Sequence, residues 1–375
     1  MNNCKPDYDN CLVNLSNSIL KYFGAETSAP TLKMADKLLE KEYTNVVVLL
    51  MDAMGISILE NHLESDGFLR SHMVGPYSSV FPPTTVAATT SVLSGLYPNE
   101  HGWLGWDVFF PELDKNVTVF TNSNQLSEDE KGEIIEPTPA ADYNVVYRYL
   151  PYKNIITRIN EAGGKAYASM PFMDPFPQDL DCILKRVEDL CATPEKKFIY
   201  AYWNEPDNTM HLYGPESNET RDLMIQLENR LEEFSSDLSD TLLIITADHS
   251  QIESKNYCIN DYPDITRCLV RMPSIEPRAL NFFVKEEYKQ EFPKIFADTF
   301  KDKFLLLTKE EIIESNLFGI GKEHALFRDL LGDYIAISIA DASLFVTHKE
   351  ASMMPGGHAG LTKEEMEIPL IAISK

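Results

Sequence analysis

The chain has 375 residues, 44% hydrophobic and 24% charged, enough to bury the core of one large or two ordinary domains, and its composition excludes a disordered or collagen-like chain. Its formal net charge is −25 at pH 7. A field of that sign repels nucleic-acid backbones and anionic membranes over a Debye length of roughly 8–10 Å, so long nucleic acid and membranes are not expected partners. A small anionic ligand then needs locally concentrated positive charge, which a bound metal can supply.

The N-terminal stretch, residues 1–15, carries neither a basic segment nor a long apolar run, so no signal peptide is expected. No segment approaches the roughly 18 uninterrupted apolar residues of a transmembrane helix. Within their close pairs, Cys4 and Cys11, Cys182 and Cys191, and Cys258 and Cys268 are 7, 9 and 10 residues apart, and none forms a Cys-x-x-Cys pair. This reads as a cytoplasmic protein with reduced thiols. No feature of the sequence sets an oligomeric state.

In chain order, the apolar run 46–51 ends at Asp52. Phe81-Pro82-Pro83-Thr84-Thr85 forces an extended approach to a helix starting near Thr85, whose hydroxyl then faces a helix N-terminus or merely caps it. Residues 101–150 are loop-rich, with Pro111, Pro137 and Pro139, and are expected to lie over the site. A helix over 155–164 ends in glycines and leads into a strand at 165–170. The run 198–203 precedes Asn204-Glu205-Pro206-Asp207, a helix follows over 219–234, and the run 242–246 precedes Ala247-Asp248-His249. Continuous apolar runs of this length suit strands covered on both faces, and their alternation with helices predicts an α/β fold with a mainly parallel central sheet. Its carboxyl edge then gathers Asp52, Asp207, Asp248 and His249. The mixed hairpin and helix signals of 270–345 predict an inserted cap subdomain, leaving 1–269 and 346–375 as the core.

The chemistry-bearing residues form a set. Asp207 and His211 are four apart and share a helix face if a helix starts at Asp207. His358 lies in Pro355-Gly356-Gly357-His358-Ala359-Gly360, a loop whose glycines allow close backbone approach. Asp52, Asp207, His211, Asp248, His249 and His358 are six candidate nitrogen and oxygen ligands. They suit zinc or a similar divalent ion, with manganese or iron also compatible. His62, His72, His324 and His348 read as surface or packing residues, and His101 as structural.

Taken together, these motifs resemble the nucleotide pyrophosphatase/phosphodiesterase (type I phosphodiesterase) branch of the alkaline phosphatase superfamily. The resemblance rests on Phe81-Pro82-Pro83-Thr84-Thr85, then Gly95-Leu96-Tyr97-Pro98-Asn99-Glu100-His101-Gly102, then Glu205 to His211, Asp248-His249 and Gly357-His358-Ala359-Gly360. It spans roughly residues 45–255 and 350–375. It implies an alkaline-phosphatase-like fold and two divalent ions, one on Asp207, His211 and His358, the other on Asp52, Asp248, His249 and the Thr85 oxygen. It further implies Thr85 as nucleophile and a small phosphodiester or pyrophosphate substrate such as a nucleotide. A phosphomonoesterase, a phosphonate hydrolase or a non-catalytic binding protein on the same scaffold are the alternatives. The chain departs from the family pattern at Trp106, which stands where an Asn usually donates to the phosphoryl group and whose indole N–H could substitute. It departs again at Val86, where an aromatic residue often stacks on a base, and at Met210, where Gly is common.

Overall fold

The computed structural model describes residues 4–375. Residues 1–3, part of the stretch read above for a leader, lie outside the described residues. A six-stranded sheet forms the centre: β1 (Asn45–Met51), β2 (Met73–Ser78), β3 (Ala166–Ser169), β4 (Lys197–Trp203), β5 (Thr241–Thr246) and β6 (Glu367–Ser374), in the order β2-β6-β5-β1-β4-β3. Strands β5, β1, β4 and β3 are mutually parallel, while β6 runs antiparallel to both neighbours, so the sheet is mixed but mostly parallel. Every residue of β1 and β5 is buried, which explains why these runs are apolar without alternation. The 155–164 helix forms over Ile155–Glu161, and Asn154 caps it by accepting from the Thr157 amide. The 19-residue helix Asn218–Ser236 is capped in the same way by Ser217 and turns Met224, Leu227, Leu231 and Phe234 inward.

A second, antiparallel sheet of seven strands takes the order 304–308, 334–338, 279–282, 274–276, 107–110, 115–118, 123–124. The segment read as loop-rich thus supplies three strands, and it shares one sheet with strands from 270–345. Ile275 pairs with Asp107 across the join. Local propensity could not reveal this, because a strand of four residues between prolines and charges carries almost no periodic signal.

The two sheets are tied through Arg278 and Glu365, both fully buried. Arg278 Nε and Nη2 donate to the two oxygens of Glu365 at 2.7 and 2.8 Å, and two further donors reach the carbonyls of Ala342 and Ala340 at 2.8 Å each. Glu365 also accepts from the Gly360 amide at 2.8 Å and the Thr362 hydroxyl at 2.7 Å. Four of the five guanidinium N–H donors are satisfied, which is close to the condition under which a buried ion pair is tolerated. Glu365→Ala leaves the guanidinium uncompensated and is expected to cost about 3–5 kcal/mol, read as a lower urea midpoint at unchanged m-value. The double change Arg278→Met with Glu365→Leu should recover much of that loss.

Candidate active site

The carboxyl ends of three adjacent strands, β5, β1 and β4, deliver the polar residues. Asp52 follows β1 directly and is buried. Ala53 then takes a left-handed φ of 59°, and its amide donates to Asp248 Oδ1 at 3.1 Å, so a strained turn aims one strand end at the next. Asp207 is the first residue of the helix Asp207–Tyr213, where the helix dipole favours a carboxylate. His211 lies one turn on, its Nε2 3.5 Å from Asp207 Oδ2. His358 reaches the same place from its glycine-rich loop. A Cβ at Gly356 would sit 2.2 Å from Gln251 Oε1, so only glycine allows that approach. Ala359, next to His358, also takes a positive φ, 85°.

These side chains converge. His249 Nε2 is 3.4 Å from Asp52 Oδ1 and 3.7 Å from Asp248 Oδ2. The His249 and His358 rings stack at 4.1 Å, and the His211 and His358 centroids are 5.2 Å apart. Two groups of three have ligand atoms within 4.8 Å of one another: Asp207, His211 and His358, and Asp52, Asp207 and His249. Asp207 thus lies between both, while Asp248 stands one step back, its Oδ1 accepting from the amides of Ala53 and His249 at 3.1 and 3.0 Å.

Thr85 is the first residue of the ten-residue helix Thr85–Ser94. Its Oγ1 lies 3.4 and 3.3 Å from the Asp52 oxygens and 3.2 Å from His249 Nε2. Thr84, not Thr85, occupies the cap position, and its hydroxyl donates to Glu276 Oε1 at 2.6 Å and makes no cap bond. The helix amides therefore remain without a side-chain cap beside Thr85, a geometry that attracts anions.

The electrostatics favour bound cations. Burial, with Asp248 and Asp207 close by, pushes the Asp52 carboxyl well above the usual carboxylate range. Burial and the neighbouring His249 and His211 push His358 well below the usual imidazole value, so it is neutral with a lone pair to offer. Asp248 Oδ2 and His358 Nδ1 are buried without any hydrogen-bond partner. Orphaned acceptors beside three crowded carboxylates fit a divalent-ion site.

A model of the type I phosphodiesterase / nucleotide pyrophosphatase family matches residues 46–310, more than two thirds of the chain. The chain belongs to this family. Its fold is similar to that of murine ectonucleotide pyrophosphatase/phosphodiesterase 5 in complex with AMP, at 16% identity over 88% of each chain and a TM-score of 0.62. The human protein of the same name aligns at 15% identity over 87% of each chain, with a TM-score of 0.65. Phosphonoacetate hydrolase from Sinorhizobium meliloti 1021 aligns at 14% identity over 87% of this chain and 89% of its own, with a TM-score of 0.62. These likenesses make the fold alkaline-phosphatase-like. No curated protein gives a significant sequence match.

Around the family motifs lie residues that sequence reasoning missed. The Tyr202 hydroxyl donates to Asp52 Oδ2 from near the end of β4. Gln251 Nε2 donates to Asp207 Oδ1 at 2.6 Å. An aromatic hydroxyl near a strand end was a usable signal for Tyr202, whereas nothing local distinguishes Gln251. His101 is buried in the family's Gly-Leu-Tyr-Pro turn. Its Nδ1 accepts from the Trp103 amide at 3.0 Å and its Nε2 faces Ser91 Oγ at 3.0 Å, and burial lowers it to about 3, which keeps it neutral and structural. Trp106 is 45% exposed, which excludes a core role, and its backbone amide donates to Glu276 Oε1 at 2.8 Å. Trp106 and Glu276 line a cavity of about 40 Å³, room for a water or two.

Burial pushes the Glu276 carboxyl up to about 8 from an ordinary 4.5. Between those values the folded chain holds a proton that the unfolded chain releases. The resulting stability is complete below the ordinary value of 4.5 and is lost as pH rises through about 8. Glu276→Gln should therefore flatten the fall in melting temperature between about pH 5 and pH 8, measured by calorimetry, relative to the native chain.

Proposed function

We propose that this family member is a metal-dependent hydrolase of phosphodiester or pyrophosphate bonds in small substrates such as nucleotides, with Thr85 as nucleophile. The observation that carries the reading is the Thr85 hydroxyl, held 3.2–3.4 Å from the Asp52 carboxylate and His249 at an uncapped helix N-terminus. Two divalent ions, zinc by preference and manganese or iron as alternatives, would be held by Asp207, His211 and His358 and by Asp52, Asp248, His249 and Thr85. When bound, they would supply Lewis-acid stabilisation of phosphoryl oxygens and a lower hydroxyl pKa. Asp52, fixed by Tyr202, orients the Thr85 hydroxyl for in-line attack at phosphorus. The free amides of the Thr85–Ser94 helix face the negative charge that builds there. As the Thr85 Oγ–P bond forms, the hydroxyl proton leaves and the P–O bond to the departing alcohol or phosphate group breaks. Water then cleaves the Oγ–P bond of the phospho-threonine, releasing the phosphorylated product and restoring the hydroxyl. The murine relative was solved with AMP as an inactive threonine-to-alanine variant, which supports both a nucleotide and a threonine nucleophile here.

The second reading, a phosphonate hydrolase or phosphomonoesterase, has its own support. Val86 is fully buried in the core beneath the second sheet, so the residue after Thr85 offers no ring to a base. Trp106 remains the proposed indole donor to substrate. Among the described residues no helix is long and apolar enough to cross a membrane. The six unpaired cysteines support the proposed cytoplasmic setting with reduced thiols.

Hydrolysis of bis-p-nitrophenyl phosphate, p-nitrophenyl phosphate and phosphonoacetate, with and without chelator, separates these readings. Chelator should abolish activity, and the diester should be preferred. Thr85→Ala should lower kcat by about 10²-fold or more, Thr85→Ser should keep part of it, and Thr84→Ala should stay within about tenfold of native. His211→Ala should bind fewer divalent ions than the native chain by elemental analysis. A fully active Thr85→Ala variant overturns the nucleophile.

A further inference from the structure

A second cluster lies outside the Asp/His site. Glu128 ends the strand Ser127–Glu128 of a small hairpin with Ile134–Ile135, Cys258 ends the strand Lys255–Cys258, and His348 opens the helix His348–Met353. One ligand atom from each lies within 4.8 Å of the other two. Glu128 Oε1 is 2.7 Å from His348 Nδ1 and 3.9 Å from Cys258 Sγ. The Glu128 side chain is 3% exposed and Cys258 is buried, whereas the His348 side chain is 50% exposed. We propose that Glu128, Cys258 and His348 form a separate, thiolate-containing site for a zinc-class divalent ion, with a fourth position open to water.

The donor set argues for this class of ion. Sulfur, imidazole nitrogen and carboxylate oxygen together suit zinc, whereas calcium and magnesium take oxygen alone. The surroundings match those of a metal site as well. A metal-bound imidazole presents its other nitrogen to a carboxylate, and His348 Nε2 faces Asp261 Oδ1 at 3.1 Å. A ligating carboxylate is itself hydrogen-bonded, and Glu128 accepts from Asn260 Nδ2 at 2.6 Å and from the His348 amide at 2.8 Å. Tetrahedral zinc with bonds of about 2.0–2.3 Å sets its ligand atoms roughly 3.4–3.7 Å apart. The Glu128–His348 contact then opens by about 0.6–0.7 Å as the ion replaces the hydrogen bond, and the Glu128–Cys258 contact tightens slightly. The thiol proton and the imidazole proton facing Glu128 leave to solvent as the ion binds. The competing arrangement, an imidazolium held between Glu128 and Asp261, gives no role to the buried thiol.

The three ligands come from segments 130 and 220 residues apart in pairing with Glu128, so one ion would clip the small hairpin to the segments carrying Cys258 and His348. The Asp/His site contains no sulfur, so a sulfur signal separates the two sites. The full chain is loaded with Co²⁺ and its near-ultraviolet spectrum recorded. A thiolate-to-cobalt charge-transfer band is expected, lost in Cys258→Ser, weakened at least tenfold in apparent Co²⁺ affinity in His348→Ala, and retained in His211→Ala. Added Zn²⁺ should displace the band and raise the melting temperature of the native chain more than that of Cys258→Ser. Absence of the band in the native chain, or its survival in Cys258→Ser, overturns the site. An equal Zn²⁺ effect on the melting temperatures of both chains overturns the clip.

Discussion

Three carboxylates must share one dry place. Asp52, Asp207 and Asp248 arrive from the ends of neighbouring strands, and burial, together with the nearby charges of Asp248 and Asp207, raises the Asp52 carboxyl well above its usual range. Such crowding is costly unless positive charge neutralises it. No Lys or Arg contacts these three carboxylates among the described residues. The imidazoles of His211, His249 and His358 stand beside them, and His358 is held neutral. The arrangement makes sense as a cation site, and much of the surrounding structure holds it open. The Ala53 turn aims Asp248, Gln251 steadies Asp207, and Tyr202 pins Asp52.

The second sheet contributes from behind the Thr85–Ser94 helix. Glu276, on its 274–276 strand, takes hydrogen bonds from the Thr84 hydroxyl and the Trp106 amide. Thr84 is thereby committed, and its neighbour Thr85 is left as the hydroxyl that faces Asp52 and His249. The Arg278–Glu365 pair extends the same connection to the loop carrying His358, because Glu365 accepts from the Gly360 amide. The two sheets are thus coupled at the two places where the site needs register: the start of the Thr85–Ser94 helix and the glycine-rich loop. The acidic surface, at a net −25, works against any anionic ligand at long range. Attraction for a small anionic ligand has to be local, which suits the proposed cation site.

The sequence by itself determined a good deal. The doubly covered runs that became β1, β4 and β5 are apolar without alternation because no face meets water, and that pattern needs no tertiary information. Asp207 and His211 were legible as a pair because helical periodicity is local. The ordered motifs around Thr85, His101, Asp248 and His358 carried the family, since each is a short string whose chemistry is read from residue type and spacing. The resemblance already pointed to Thr85 over the chemically identical Thr84, and the tertiary structure supplied the physical reason: Thr84 is held by Glu276, 192 residues away, while Thr85 faces Asp52 and His249. The tertiary structure alone decided that 107–124 pairs with 274–338, that Asp207 lies between the two ligand groups, and that Glu128, Cys258 and His348 meet at all. Those facts follow from sheet order and loop closure across more than a hundred residues, and no periodicity or spacing within the chain encodes them.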